Sequence, residues 1–477
     1  MTGSSSGPTS DVHYVVGCGP LSGEVSIPGD KSISHRALLI GALAKGDTRI
    51  SGLSGGEDVS RTRSALVALG VDIGDDQDGQ VVVHGSAGSL HAPGAPIDCG
   101  NSGTTMRLLA GVVAGYPWTT CLIGDTSLGS RPMDRVAVPL REMGATVSGH
   151  GERCLPPLEI SGGALRGITY PVPVPSAQVK SAILLAGLRA TGDTTIYESL
   201  PTRSHTEEML EMAGADIEVL CDEAPSVGRT ICLKPGSLSP LDLIVPGDPS
   251  QAAFWVVAGC IVPDSEIRIR NVYVGPGRRG FLDVLKRMGA DVDFGDASES
   301  LTASRPSSPN KVDLVVKYGR LVATTISAQE IPGLIDEVPI LALGAALADG
   351  RTVFHGVGEL RVKESDRLSG IVAMLNAFGG CAAIDGDSLI VDGVEELSVP
   401  TVKIDSLGDH RMAMVAAVAA MTLGDANATA GEAASDNAGV AIVGWSVVAT
   451  SYPGFADDYE VLRSLNADNR PLGQEGL

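Results

Sequence analysis

The stretch IPGDKSISHRALLIGALAKGDTRI, Ile27 to Ile50, returns in altered form as VPGDPSQAAFWVVAGCIVPDSEIRI, Val245 to Ile269. Both open on Pro-Gly-Asp, run through an apolar segment, turn at an acidic break and end in a short alternating run. Proline and glycine end a strand, Asp30 or Ser32 can cap a helix, and the final alternation suits a half-buried strand. The pattern recurs. Besides Ala37–Ile50 and Ala252–Ile267, a helix-like apolar segment followed by Gly or Asp and a β-rich run occurs at Met106–Ile123, Ala182–Ile196, Ile340–Phe354 and Met412–Thr422. A second phrase, LVALGVDI, LREMGATV, LEMAGADI and LKRMGADV, ends near Ile73, Val147, Ile217 and Val292, with a looser version at Asn376–Ile384. Helix, glycine stop and strand alternate throughout. A spacing of about 70 to 90 residues is longer than that of solenoid repeats, so each unit can contribute a layer with its own strands. The chain is expected to be an α/β repeat protein, with the two Pro-Gly-Asp segments as crossovers between two halves.

Chemistry concentrates at the starts of the expected helices. Lys363-Glu364-Ser365-Asp366-Arg367 sets two cations and two carboxylates within five residues. If this segment opens a helix, Lys363 and Arg367 share a face and can grip an anion, while Glu364 is carried alongside to move a proton. Lys31 and Arg36 lie near the positive end of another helix dipole, which makes an anion site. DCGNSGTTMR, Asp98 to Arg107, repeats the design with glycines and small hydroxyls that expose backbone N–H groups; PSAQVK from Pro175 and LGDHRMAM from Leu407 do so again. Taken singly, each is most simply a structural feature: Asp336 a cap, Arg131 before Pro132 a loop anchor, Ser176 a helix start. Their joint occurrence at matching repeat boundaries is difficult to assign to structure alone.

Six motifs in order, PGDKSISHRA, GNSGTTMRLL, SRPMDR, SAQVKS, IDEVPI with VKESDR, and GDHRMAM, resemble those of the 5-enolpyruvylshikimate-3-phosphate synthase family over about Leu21 to Tyr459. The resemblance implies an α/β fold of two similar domains, each of three βαβαββ units with helices inside and sheets outside, facing across a cleft. It places one domain at residues 29–243 and the other at 1–28 plus 244–477. It implies a 3-phosphoshikimate 1-carboxyvinyltransferase of the shikimate pathway, which moves the enolpyruvyl group of phosphoenolpyruvate to the 5-hydroxyl of shikimate 3-phosphate and releases phosphate on the way to chorismate and the aromatic amino acids.

Carried onto the matching positions, the resemblance makes Asp336 the base, Glu364 the proton carrier at the methylene carbon, and Lys31 a third catalytic residue that touches both substrates. Shikimate 3-phosphate is assigned Lys31, Ser32, Arg36, Ser176, Ala177, Gln178, Arg203, Asp336 and Lys363; phosphoenolpyruvate is assigned Lys31, Gly103, Arg131, Gln178, Arg367 and Arg411. Planar guanidinium forks suit carboxylate and phosphate oxygens better than an ammonium does. His35, His205 and His410 are expected as packing or supporting residues. The family is a glyphosate target, and here Gly103 leaves space for that inhibitor while Leu108 stands where sensitive members often carry proline.

Composition sets the remaining bounds. With 477 residues and 43% hydrophobic content, the chain reads as a globular protein of two or three domain lengths. No apolar run approaches the ~20 residues of a membrane span, and Met1–Ser10 lacks the basic and apolar parts of a targeting signal. Eight scattered cysteines without a C-x-x-C pair and eight dispersed histidines without ligand spacing predict a reduced, cytoplasmic setting and no metal site. No cofactor is expected, and the chain is expected to be a monomer.

A net charge of −22 argues against nucleic acid and anionic membrane as partners. Anionic small substrates then require Lys31, Arg36, Arg131, Arg203, Lys363, Arg367 and Arg411 to converge locally, with distant acidic surface screened within about 8 Å. Gly275-Pro276-Gly277-Arg278-Arg279-Gly280 fits G-x-G-x-x-G, yet Pro276, the paired arginines and the lack of a second nicotinamide feature make it turn chemistry, not a dinucleotide site. The related UDP-N-acetylglucosamine 1-carboxyvinyltransferases carry a reactive cysteine where this chain has Thr126. A transferase that uses a different phosphorylated alcohol as acceptor would fit the same motifs, as would a noncatalytic protein that only binds small anions in the cleft. The presence of Asp336, Glu364 and Lys31 together disfavours the noncatalytic protein, since binding alone needs no proton-transfer pair.

Overall fold

The computed structural model describes residues 11–464 apart from 18, 222–227, 276, 295–310 and 425–438. The Ser-, Asp- and Pro-rich stretch Asp296–Asn310 and the Ala-, Asn- and Gly-rich stretch Asp425–Gly439, which composition marks as an insertion loop and a surface excursion, lie outside the described residues but for Gly439.

Five of the six expected repeats fold as an inner helix, a strand, an outer helix and a hairpin. In the second unit, the helix Gly103–Val113 leads to the strand Thr119–Ile123, the helix Asp134–Met143 and the antiparallel strands Thr146–His150 and Leu155–Ser161. Ile97–Asp98 lies parallel to Thr119–Ile123 and completes a four-stranded sheet. The glycine that ends the outer helix, Gly144, has φ of 110°, a conformation that favours glycine. Four further sheets repeat this order, and a three-stranded sheet of Val12–Val15, Val440–Val443 and Ile404–Asp405 belongs to the unit of the His410–Met421 helix.

The layering follows from the side chains. The inner helices Pro249–Ile261, Val338–Ala346 and His410–Met421 are buried at every residue, as helices that are apolar all round must be. The sheets alternate instead: Leu155–Ser161 and Lys311–Lys317 bury every second side chain against the helices and turn the rest outward. Close helix contact in the first half depends on Gly111, where an added Cβ would lie 2.2 Å from the Ala182 carbonyl oxygen.

Two hydrophobic cores result. One gathers Ile33 through Val245, the other Val15 through Ile27 with Ala252 through Leu462. The chain passes between them twice. Ser22–Ser26 pairs in parallel with Glu266–Tyr273 before the first passage, and Asp242–Ile244 pairs in parallel with Asp47–Ser51 before the second. The passages lie side by side: Gly29 bridges Gly247 antiparallel, the Asp30 N–H donates to the Pro246 carbonyl at 2.7 Å and the Asp248 N–H to the Pro28 carbonyl at 2.9 Å. Tyr273 ends a strand on the second side but packs in the first core, its hydroxyl donating to Glu208 at 3.1 Å.

Candidate active site

The repeated helix starts converge. Asp30, Ser102, Ser176, Asp248, Asp366 and Asp409 each cap a helix by accepting a backbone N–H, from Ile33, Thr105, Val179, Ser250, Ser369 and Arg411 respectively. Residues at or just after all six caps border a single cavity of about 370 Å³. The positive ends of several helix dipoles thus meet in one place, which favours anions there. The side chains add to this: nine basic residues line the cavity against five carboxylates, an excess of four positive charges in a chain of net −22.

Lys31, Ser32, Gly103, Arg131, Ser176, Ala177, Gln178, Arg203, Asp336, Lys363, Glu364, Arg367 and Arg411 all line this cavity. Arg36 does not. It is 3% exposed and its guanidinium is taken up inside the protein, by Thr206 at 2.6 Å, the Ser32 carbonyl at 2.8 Å and Ser181 at 2.7 Å. Burial lowers its pKa to about 10.

Lys363-Glu364-Ser365 also sits differently from the helix opening expected of it. Asp366 caps a helix that begins only at Arg367, and the three residues before it form a turn. Lys363 and Arg367 still approach one group, Asp336 Oδ1, at 3.8 and 3.3 Å. Capping by Asp366 outweighs continuation of the helix backward.

The two carboxylates proposed for proton transfer share a cation. Arg367, 1% exposed, meets Asp336 at 3.3 Å, Glu364 at 2.5 Å and Asp409 at 2.7 Å. From the other side of the cavity Arg203 pairs with Asp336 at 2.7 Å and Arg131 with Glu364 at 3.3 Å. Arg411 donates to the Asp336 carbonyl at 3.1 Å. Burial would raise the Asp336 carboxyl, yet Lys363, Arg411, Arg203 and Arg367 hold it well below the usual carboxylate range. Burial likewise opposes the charge of Glu364, and Arg367 and Arg131 hold it well down. Both are anions in the unliganded protein. Burial lowers the Lys363 ammonium. Lys31 reaches Asp58 at 2.8 Å, so its charge also has a partner at rest.

Gly103 opens its helix where a Cβ would lie 2.9 Å from Arg107 Nη1 and 3.3 Å from Arg131 Nη1. Gln178 is fixed at both ends of its amide, accepting from Arg107 at 2.6 Å and donating to Thr104 at 2.9 Å.

Several lining residues lie beyond the set that sequence reasoning marks. Arg107 closes GNSGTTMR and Arg135 closes SRPMDR, so their place inside two of the motifs is the signal that could have found them. Burial, then the neighbouring Arg131, lowers Arg107 to about 10. Glu359, ahead of LRVKES, binds Arg135 with both oxygens. Arg278, inside the glycine-rich turn, also borders the cavity. Of the three motif histidines, His35 and His205 are buried, His35 bonded to Thr62 at 2.7 Å, whereas His410 reaches the cavity wall. Burial and adjacent cations hold all three well below the ordinary histidine pKa, so they are neutral at pH 7.

Among the described residues, no group of three or more His, Cys, Asp and Glu is placed to hold a metal ion, and no helix is long and apolar enough to cross a membrane.

Comparison with known proteins places this geometry. The profile of EPSP synthase (3-phosphoshikimate 1-carboxyvinyltransferase) matches residues 15–459. The 3-phosphoshikimate 1-carboxyvinyltransferase of Streptococcus uberis is 42% identical over 450 residues, 94% of this chain and 99% of that protein. Its counterpart from Streptococcus pyogenes serotype M1 is 43% identical over 452 residues, covering 93% and 97%. Among solved structures, EPSP synthase from Acinetobacter baumannii superposes with a TM-score of 0.76 at 36% identity, covering 95% of this chain and 98% of that one. The enolpyruvyl transferase NikO from Streptomyces tendae shares the fold with a TM-score of 0.70 at 19% identity, over 95% and 98%. A profile that spans nearly the whole chain and relatives above two-fifths identity lead to one conclusion: the chain belongs to the EPSP synthase family.

Proposed function

We propose that the cavity between the two cores is where this chain carries out its reaction, with Asp336 and Glu364 as the proton-transfer pair. The reaction is the transfer of the enolpyruvyl group of phosphoenolpyruvate to shikimate 3-phosphate in aromatic biosynthesis. The observation that carries the assignment of roles is the single arginine, Arg367, held between both carboxylates in a cavity with excess positive charge.

The chemistry has two stages. The 5-hydroxyl attacks C2 of phosphoenolpyruvate while losing its proton to Asp336, and C3 receives a proton from Glu364, which gives a tetrahedral adduct. Collapse then returns a proton from C3 to Glu364 and expels phosphate as the C2–O bond to phosphorus oxygen breaks. Lys31, which lines the same cavity, is assigned to donate to the departing oxygen. Asp336 suits the base role because it is ionised at rest. Glu364 must first acquire a proton. The anionic groups of phosphoenolpyruvate, held by Arg131, Arg367 and Arg411, offset the cations that now depress its pKa, so substrate binding raises its proton affinity. Gly103, Ser176, Ala177, Gln178, Arg203 and Lys363 complete the two substrate sides, with Ser32 held by Arg36.

Residues 29–243 and 1–28 plus 244–477 are proposed as two domains that close over the substrates. Closure would exclude water and hold Arg131 and Arg203 against Glu364 and Asp336, pairs already formed in this structure. One chain contains every residue of the proposed set, which supports a monomer, and the buried free thiols of Cys99, Cys154 and Cys260 support a reducing, cytoplasmic setting.

A reaction run in D2O tests the two-stage path. Deuterium in the vinyl methylene of the product is expected for the wild type, because Glu364 exchanges with solvent and the transient methyl group rotates. Product free of label would contradict proton addition at C3.

A further inference from the structure

Arg278 lies in the turn Gly275–Gly280 and takes no part in the steps above. Its guanidinium, on a residue 3% exposed, donates from Nη2 to Asp30 Oδ2 at 2.8 Å and Asp248 Oδ1 at 2.5 Å, and from Nη1 to Ser250 Oγ at 3.1 Å. Glu337 stands 3.9 Å from Nη1 and accepts from the same Ser250 hydroxyl. Asp30, Asp248, Ser250 and Glu337 are all buried.

Each partner leads directly to the site. Asp30 caps the helix that begins at Lys31. Asp248 caps the helix of the other passage and, through its second oxygen, accepts the backbone N–H of Lys31 at 3.0 Å. Glu337 follows Asp336 in the chain. One cation therefore holds both passages between the cores and the segment carrying the proposed base.

We propose that Arg278 is a positioning residue: by pinning Asp30 to Asp248 it keeps the two crossovers in register, and so sets Lys31 against Asp336. The inference rests on the reading of Lys31 and Asp336 as site residues. Its rival is a purely structural role, in which Arg278 only neutralises buried carboxylates. A buried carboxylate left unpaired is destabilising, so both roles lower stability on substitution. They separate when one of the stranded charges, that of Asp30, is removed as well.

Two variants make the test, Arg278→Gln and the double variant Asp30→Asn with Arg278→Gln. Asparagine keeps the helix cap, since its carbonyl oxygen can accept from Ile33, while one of the two buried charges paired with Arg278 is gone; Asp248 keeps the N–H groups of Lys31 and Ser250. Arg278→Gln is expected to lower the melting temperature and to cut kcat per folded enzyme at least about tenfold, as misplaced groups do. The KM for phosphoenolpyruvate, whose arginine ligands lie off the crossovers, is expected to stay within about threefold. The double variant is expected to recover part of the lost melting temperature and none of the lost kcat. Recovery of kcat together with melting temperature would overturn the proposal, as would a wild-type kcat in folded Arg278→Gln. Should the single variant not fold, the double variant alone decides, by whether its kcat is low or normal.

Hydrogen exchange gives a readout that needs no turnover. Amides of residues 29–36, 247, 248, 250 and 251 are expected to exchange faster in Arg278→Gln, with the outer sheets unchanged; unchanged exchange at both crossovers would sink the tie. If the wild type releases no phosphate with shikimate 3-phosphate, the reaction assignment fails, and the exchange result still judges Arg278.

Discussion

Arg135 and Glu359 meet across the cavity in a two-pronged pair, Nη1 to Oε2 at 2.7 Å and Nη2 to Oε1 at 2.9 Å. One follows Pro132 on the first-core side, the other precedes the Lys363 turn on the second, and both are about one-third to two-fifths exposed, at 32% and 43%. A bridge in such a position stabilises the native chain by only about 0.2 to 1 kcal/mol. Its effect falls on the balance between the closed and open forms proposed above. Arg135→Ala is expected to leave the melting temperature within about 2 °C and to lower kcat/KM about two- to fivefold, since 1.4 kcal/mol corresponds to tenfold. Steady-state kinetics at low and high salt check this: the wild type should lose activity with salt more steeply than the variant, and parallel salt curves would contradict the role.

Glu364→Gln keeps the shape and the pairing with Ser127 through the backbone carbonyl, but it cannot carry a proton. kcat is expected to fall by about a hundredfold or more, the range of general acid–base contributions. Acceptor affinity should change little, because Glu364 pairs with Arg131 and Arg367, the arginines proposed for phosphoenolpyruvate. Titration of shikimate 3-phosphate by calorimetry beside turnover measurements checks the split, and near-normal turnover would remove Glu364 from the proton path.

The pH dependence of stability follows from the signs of the shifts. Asp336 and Glu364 both have folded values depressed by neighbouring cations in spite of burial. Depressed carboxyls add stability that is fully present above their unfolded values of roughly 4, and that is lost as pH falls through the folded values. Asp336→Asn removes this contribution at neutral pH and leaves Arg203 and Lys363 without their carboxylate. Its melting temperature should lie below that of the wild type near pH 7, and the gap should narrow as the buffer is taken down to the acid range. Differential scanning calorimetry across that series is the check, and a gap that stays constant would contradict the shifts.

Gly103→Ala tests how closely the arginines approach the backbone. The new methyl would lie 2.9 Å from Arg107 Nη1 and 3.3 Å from Arg131 Nη1, both ends of flexible side chains. The guanidinium groups must yield by a few tenths of an ångström. Folding should be unaffected, while the KM for phosphoenolpyruvate should rise several-fold, more than that for shikimate 3-phosphate. Equal changes in the two constants would speak against placing phosphoenolpyruvate beside Gly103.

The repeat is readable because each unit must state its own boundaries in local residues. Asp30, Ser102, Ser176 and Asp409 are caps whose neighbours then turn out to share one cavity. Local pattern says less about direction. Arg36 lies on a helix buried at every residue from Ile33 to Leu43, and nothing in its spacing tells that it turns to Thr206 and Ser181 and away from the cavity. The cap at Asp366, one residue before Arg367, shifts Lys363 and Glu364 off the helix by a preference that competes with charge spacing. Arg278 and Asp30 stand 248 residues apart, and a glycine-rich turn carries no sign of an ion pair at that separation.

The reaction is tested most directly by one assay: phosphate release by the purified chain given phosphoenolpyruvate, with and without shikimate 3-phosphate, followed by the mass of the product. Phosphate release that requires shikimate 3-phosphate, with a product heavier by the enolpyruvyl group, is the expected result. Folded protein that binds phosphoenolpyruvate but releases no phosphate with shikimate 3-phosphate would contradict it.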